Sequence, residues 1–306
     1  MDRVRKQIGL TSSVIGGEGI CIAVLDTGVA SHPDLKNKIK YFKDFVGNSS
    51  LPYDDSSHGT HICGILCGDG KNSEGKYCGI APKAHLVVCK ILDQKGEGRA
   101  DIMLQALEFL KRYRKQLDIR IVNISVGIGE LSDSSMLHQM QSAIEALWDD
   151  GAVVVCAAGN KGPADNSISS ICNSTKVITV GCHDGEFFRE SQERCEIHSG
   201  RGNRFGGVRK PDIVAPGTQI VSCNGNWSRF HSRQIKYYVE KSGTSMATPI
   251  VSGCVALLLE KEPWLLPDQV RSRILFSATD LGESWNKQGW GMINVKRMLE
   301  SSVKHF

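Results

Sequence analysis

Five mainly apolar runs punctuate the chain, the first of them continuous up to its terminal acid: ICIAVLD (20–26), HLVVCKIL (85–92), IRIVNISV (119–126), AVVVCAAGN (152–160) and KVITVG (176–181). A strand with one wet face would alternate apolar and polar residues, so runs like these predict strands covered on both faces. Between them the spacing changes to that of helices. ADIMLQALEFLKRYRKQ (100–116) sets Ile102, Leu104, Leu107, Phe109 and Leu110 along one broad face. SMLHQMQSAIEALWDD (135–150) does the same and stops before Gly151, a residue suited to a left-handed C-cap. PDQVRSRILFSATDLG (267–282) opens with Pro267 and Asp268 in its first turn and closes near Gly282. Strands alternating with helices predict βαβ units and an α/β fold: an open, mostly parallel sheet with helices on both faces. No repeat, linker or composition break interrupts 1–306, so the expectation is a single domain.

Composition narrows the function classes. Of 306 residues, 41% are hydrophobic and 23% charged, the balance of a globular chain rather than a disordered one. The net charge of +4 is mild, and the densest basic run, KRYRK (111–115), fits the solvated face of a helix. No nucleic-acid partner is therefore expected. The apolar stretch IVSGCVALLL (250–259) falls short of the ~18 residues that span a bilayer and reads as a buried helix, so no membrane partner is expected either. The first residues, MDRVRKQIGLTSS, lack the apolar core of a signal peptide. Among eleven cysteines, Cys21, Cys89 and Cys156 lie in strand-like runs and Cys63 and Cys254 in helix-like ones. Buried thiols persist in a reducing compartment, which gives an expectation of unpaired core cysteines and a cytoplasmic location. Cys63 and Cys67 share a helical face, but that spacing alone does not make a metal site.

Four short stretches carry candidate chemistry: AVLDTGV (23–29), SSHGTHICG (56–64), AAGN (157–160) and SGTSMATPIVSG (242–253). Singly, each has a plain structural reading as a turn former, cap or first-turn residue. Together they supply what acyl transfer by a serine requires. A hydroxyl is a weak nucleophile and needs a base; an imidazole base needs a carboxylate to fix its tautomer; the oxyanion needs preorganised donors. Ser245, His58, Asp26 and Asn160 are one of each.

AVLDTGV, HGTHICG and GTSMATP resemble the three active-site signatures of the subtilisin-like serine proteases, and AAGN resembles that family's oxyanion-hole segment. The order Asp…His…Ser is that of subtilisin. With KPDIVAPG (210–217) and GWGMINV (289–295) the resemblance runs from about Gly19 to Val295, and in character it is closest to intracellular bacterial subtilisins. It implies a subtilisin-like fold and a serine endopeptidase acting on polypeptides or peptides through an acyl-enzyme. Ser245 would be the nucleophile, His58 the base and then acid, and Asp26 the orienting carboxylate. Asn160 and the Ser245 backbone N–H would hold the oxyanion. A dedicated leader peptidase would share these residues with narrower specificity. A non-catalytic binding protein would have no need to keep all four.

The resemblance also implies a substrate side. KGEG (95–98) and SVGIG (125–129) would flank an extended peptide, with Gly96, Gly98, Ser125 and Gly127 at the backbone contacts. Lys161 would sit at the rim of the pocket preceding the cut, favouring acidic or neutral side chains, and Ser169 near its floor. His61 would be structural. Ile250 stands where the family commonly has a histidine that is not catalytic. The segment 224–241 is longer than in short members and would line the site or an oligomer contact. The chemistry needs no cofactor, but family members often bind structural calcium, and Asp34 of SHPDL and Asn72 of DGKNSEG fall in that region.

Overall fold

The computed structural model describes residues 1–11, 15–126, 134–188, 194–205, 207–227 and 236–301, and seven of the nine strands among these described residues form one parallel sheet. In chain order the elements are α1 (Asp2–Gln7), β1 (Cys21–Asp26), β2 (Ile39–Asp44), α2 (His58–Cys67), β3 (His85–Lys90), α3 (Ala100–Tyr113) and β4 (Ile119–Ile124). There follow α4 (Ser134–Asp149), β5 (Val153–Ala157), β6 (Ile178–Cys182), β7 (Ile213–Ala215), β8 (Ile220–Cys223) and β9 (Tyr238–Lys241). The last elements are α5 (Thr244–Lys261), α6 (Pro267–Ser277), α7 (Trp285–Gln288) and α8 (Val295–Glu300).

The strand order is β2-β3-β1-β4-β5-β6-β7, with every neighbouring pair parallel. All carboxyl ends therefore lie along one edge. The chain leaves β1 toward β2 on one side and leaves β4 toward β5 on the other, so a crevice opens at the carboxyl ends of this adjacent pair. β1, β5 and β6 are buried along their whole length, as their mainly apolar runs require. β8 and β9 form a separate antiparallel pair.

The layers follow from helix composition. Fifteen of the eighteen residues of α5 are buried, so this helix has no solvent face and must sit centrally. It crosses β4, β5, β6 and β7 and packs on α2, while α3 packs on α4, which lies against β5. Gly253 permits the close approach of α5 to the chain beside it: a Cβ there would sit 2.6 Å from the Cβ of Ile80. Among the described residues, no helix is long and apolar enough to cross a membrane.

The cysteines depart in part from the sequence reading. Nine are free, eight of them buried, but Cys182 and Cys195 form a disulfide, with Cα atoms 6.0 Å apart. The end of β6 and the turn at Cys195–Ile197 meet in space, a proximity that only the folded topology creates.

Candidate active site

His58 opens α2, and the residue before it, Ser57, is held in a left-handed turn at φ 70°, ψ 5°. Asp54 holds it there. Its Oδ1 accepts the backbone N–H groups of Ser56 (3.1 Å) and Ser57 (2.9 Å). Its Oδ2 accepts the N–H (2.8 Å) and hydroxyl (2.6 Å) of Thr60. A carboxylate at this end of a helix is also favoured by the helix dipole. Thr27, next to Asp26, donates its hydroxyl to Asp54 Oδ1 (2.9 Å) and accepts the Gly59 N–H (2.8 Å). The end of β1 is thereby stitched to the start of α2. On the other side, the buried Lys90 ammonium donates to the Thr27 carbonyl (2.7 Å), the Leu92 carbonyl (2.8 Å) and Asp55 (2.7 Å).

The product of this stitching is a 2.7 Å contact between His58 Nδ1 and Asp26 Oδ1. Asp26 is fully buried and also accepts the Thr27 N–H at 2.7 Å. A carboxylate only accepts, so Nδ1 carries the proton and the lone pair of neutral His58 lies on Nε2. Burial by itself would lower the His58 pKa. The charge of Asp26 and its hydrogen bond outweigh that, and the net direction is upward from 6.5.

Ser245 lies in the first turn of α5, on a helix that packs on α2 and starts at the same edge of the sheet. Its N-cap is Gly243, at φ 141°, which glycine alone adopts readily, and this residue offers no side chain of its own to cap the helix. The Gly243 N–H donates to the Gly217 carbonyl at 2.9 Å. Thr244 donates both its N–H (3.1 Å) and its hydroxyl (3.0 Å) to Asn160 Oδ1. Two donors on one amide oxygen fix the orientation of Asn160, leaving its Nδ2 hydrogens for another acceptor. Among the described residues, the Ser245 N–H has no acceptor in the chain. Pro249 lacks the N–H that would otherwise bond the Ser245 carbonyl, so this first turn is only partly tied into the helix. Asn160 itself is exposed just past β5, after a turn made at Gly159 with φ 93°.

The substrate-side residues are placed less uniformly. Gly96 is exposed at φ 77°, in a turn organised by Asp93, whose Oδ1 accepts the N–H groups of Lys95 (2.8 Å) and Glu97 (3.0 Å). Gly98 packs on Leu92, whose Cδ2 would lie 2.3 Å from a Cβ. Ser125 is buried just past β4; its hydroxyl accepts from Asn123 (2.8 Å), which in turn accepts from Ser252 of α5 (2.8 Å). Its side chain is turned into the interior. Gly127 lies outside the described residues. Lys161 is exposed beside Asn160. Ser169 donates its N–H to the Ala158 carbonyl at 3.0 Å and so lies under the AAGN turn.

The calcium expectation fares differently. Asp34 is buried, and both of its oxygens face protein donors. Oδ1 accepts the Asn72 side-chain amide (2.6 Å) and backbone N–H (3.3 Å), and Oδ2 accepts the Tyr238 hydroxyl (2.5 Å). Calcium takes six to eight oxygen ligands, whereas Asn72 presents nitrogen to the carboxylate. Asp34 and Asn72 form a hydrogen-bonded strut that does not fit a calcium site. His61 is structural: buried, bonded through Nε2 to the carbonyls of Ile220 (3.0 Å) and Val239 (3.1 Å), and pulled down to about 3 chiefly by burial. In the 224–241 segment, residues 228–235 lie outside the description. Its start reaches the site, since the Gly225 N–H donates to the hydroxyl of Ser57 at 2.8 Å.

Thr27, Asp54 and Lys90 were not singled out from sequence, and Thr244 only as shaping the approach to its helix. Thr27, Asp54 and Thr244 each sit within four residues of a catalytic candidate, which is the one local signal they offer.

The chain matches the Subtilase family over residues 17–291. It is 37% identical to the serine protease AprX of Bacillus subtilis (strain 168), over 96% of this chain and 69% of that protein. It is 33% identical to subtilisin DY of Bacillus licheniformis, over 92% of this chain and 90% of that one. Among solved structures it is similar to sphericase, with a TM-score of 0.78 and 28% identity, covering 95% of this chain and 97% of that one.

Proposed function

The chain belongs to the subtilase family and is a serine endopeptidase, and from that premise we propose that Ser245 is its nucleophile, with His58, Asp26 and Asn160 as its partners. The observation that supports this most is the 2.7 Å His58–Asp26 contact on α2, the helix packed against the one that carries Ser245.

In this reading, Ser245 Oγ attacks the scissile carbonyl carbon while His58 Nε2 takes its proton. The imidazolium that forms is held by the buried Asp26. The carbonyl oxygen, now an oxyanion, accepts from Asn160 Nδ2 and the Ser245 N–H, two donors already oriented before substrate arrives. His58 then passes its proton to the departing amine, leaving an acyl-serine. Water repeats the sequence with His58 again as base. The peptide lies extended against the backbone of Gly96, Gly98 and Ser125, as an added strand.

A fluorophosphonate probe tests the assignment directly. Wild-type protein is expected to label on one serine and Ser245→Ala not at all; labelling retained in the variant would place the nucleophile elsewhere. Asn160→Ala is expected to lower kcat by about 10²–10³ with KM little changed, because its amide serves the oxyanion and not the ground-state carbonyl. Steady-state kinetics on one peptide decides this, and a change confined to KM would remove Asn160 from the oxyanion hole.

We also propose a cytoplasmic location, supported by nine free cysteines in one chain. Fractionation that finds the protein outside the cytoplasm would end that reading.

A further inference from the structure

The disulfide lies under the nucleophile's helix. Gly217 is wedged between the two: a Cβ there would meet Cys182 Sγ at 2.6 Å, the Gly243 carbonyl at 2.7 Å and Cys195 Sγ at 3.1 Å. From the other side, the Gly217 carbonyl accepts the N–H of Gly243, the N-cap of α5, at 2.9 Å. The sulfurs are therefore one residue removed from the hydrogen bond that sets where α5 begins. The same segment is fastened from below by Asp184. This buried carboxylate accepts the N–H groups of Gly217 and Thr218 (each 3.3 Å) and the Thr218 hydroxyl, while Thr218 accepts the Cys195 N–H at 3.0 Å.

We propose that Cys182 and Cys195 are a redox-active pair whose bonded state positions the start of α5 through Gly217. Two separate thiols need van der Waals space that a single S–S bond does not, and the glycine side of the pair has none to give. Reduction therefore pushes on Gly217 and loosens its bond to Gly243. The exchange balances: a low-molecular-weight disulfide takes two electrons and two protons from the thiols, by way of a mixed disulfide, and leaves as two thiols. A dithiol such as dithiothreitol reverses it. Cys182, Asp184 and Cys195 also lie close enough to share a cation. The oxygens of Asp184 are already taken by Gly217 and Thr218, which favours the disulfide over a metal.

The effect on catalysis rests on Ser245 being the nucleophile, so the test has a readout that does not. In Ser245→Ala protein, oxidised and dithiothreitol-reduced samples, distinguished by the 2 Da mass change of one disulfide, are compared by amide hydrogen exchange. Faster exchange at Gly243 and Thr244 after reduction is the expected result. In wild-type protein, the same reduction is expected to lower kcat by about tenfold to a hundredfold, the scale of an ångström-sized misplacement. Cys182→Ser combined with Cys195→Ser should remove the redox response, and Cys78→Ser should keep it. Unchanged exchange at Gly243 and Thr244, a mass that does not respond to dithiothreitol, or a response that survives the double substitution would each overturn the proposal. So would one zinc per chain retained by the reduced pair.

Discussion

Replacing His58 with alanine is expected to lower kcat by about a millionfold, the size of the same removal in subtilisin, a relative of this chain, rather than a magnitude taken from this geometry. On the proposed assignment the variant loses the base that activates Ser245 and the acid that protonates the leaving amine, while Asn160 and the Ser245 N–H remain. Residual rate above uncatalysed hydrolysis should therefore persist. Asp26 would stay buried with the Thr27 N–H as its donor, so some stability is lost, on the order of 1–3 kcal/mol for an under-satisfied buried acceptor.

The wild type carries the matching pH signature. Only neutral His58 accepts a proton, so kcat/KM should rise with pH through its pKa, and Asp26 moves that limb above 6.5. A pH profile on a peptide without ionisable side chains checks it; a limb centred at or below 6.5 would contradict the charge balance described for the site. Stability runs the other way. A histidine whose folded pKa is raised contributes stability that is complete below its unfolded pKa and is lost as pH rises through the folded value. The Asp26–His58 pair thus stabilises most where the enzyme is least active.

How much of this was legible in the sequence depends on what kind of force set each feature. Buried strands and amphipathic helices were read because burial writes itself into local composition: α3, α4 and α6 begin within one residue of the expected positions. The reading overran at 152–160, since β5 ends at Ala157 and the chain turns at Gly159. β2 was missed because IKYFKD is an edge strand with mixed exposure and one partner. The β8–β9 pair was missed because a long segment joins its strands, with no hairpin turn to mark it.

The site divides along the same line. Asp26, His58, Asn160 and Ser245 stood out by type, setting and resemblance. Asp54 did not, because a carboxylate that collects five hydrogen bonds looks like any loop acid until the loop is folded. Lys90 was hidden in an apolar run, its ammonium satisfied only by carbonyls and Asp55 brought together by the fold. Cys182 and Cys195, 13 residues apart, follow no spacing rule and were read with the other thiols. Asp34 shows the converse: its position suggested a cation ligand, while in the fold Asn72 and Tyr238, the latter 204 residues away in sequence, donate to its carboxylate.

Asp26→Asn separates the two jobs assigned to that carboxylate, and it is expected to lower kcat by about 10⁴ with KM nearly unchanged. The first job is the tautomer. Asparagine can turn an N–H toward His58 Nδ1, which then becomes an acceptor and forces the proton onto Nε2, where it blocks removal of the Ser245 proton. The second job is charge. Without the anion, burial is left to pull the His58 pKa down, so the acid limb of any residual activity should move to lower pH than in wild type. The Thr27 N–H shares Oδ1 with His58 and would then face the asparagine NH2, which costs one hydrogen bond, but Asp54 still holds the start of α2, so the framework should survive. Kinetics across pH on the purified variant gives both answers at once. A fall of less than tenfold would mean that the 2.7 Å contact is incidental to turnover. A large fall with an unmoved limb would mean that Asp26 orients His58 without setting its charge, and the upward direction of its pKa would need another source.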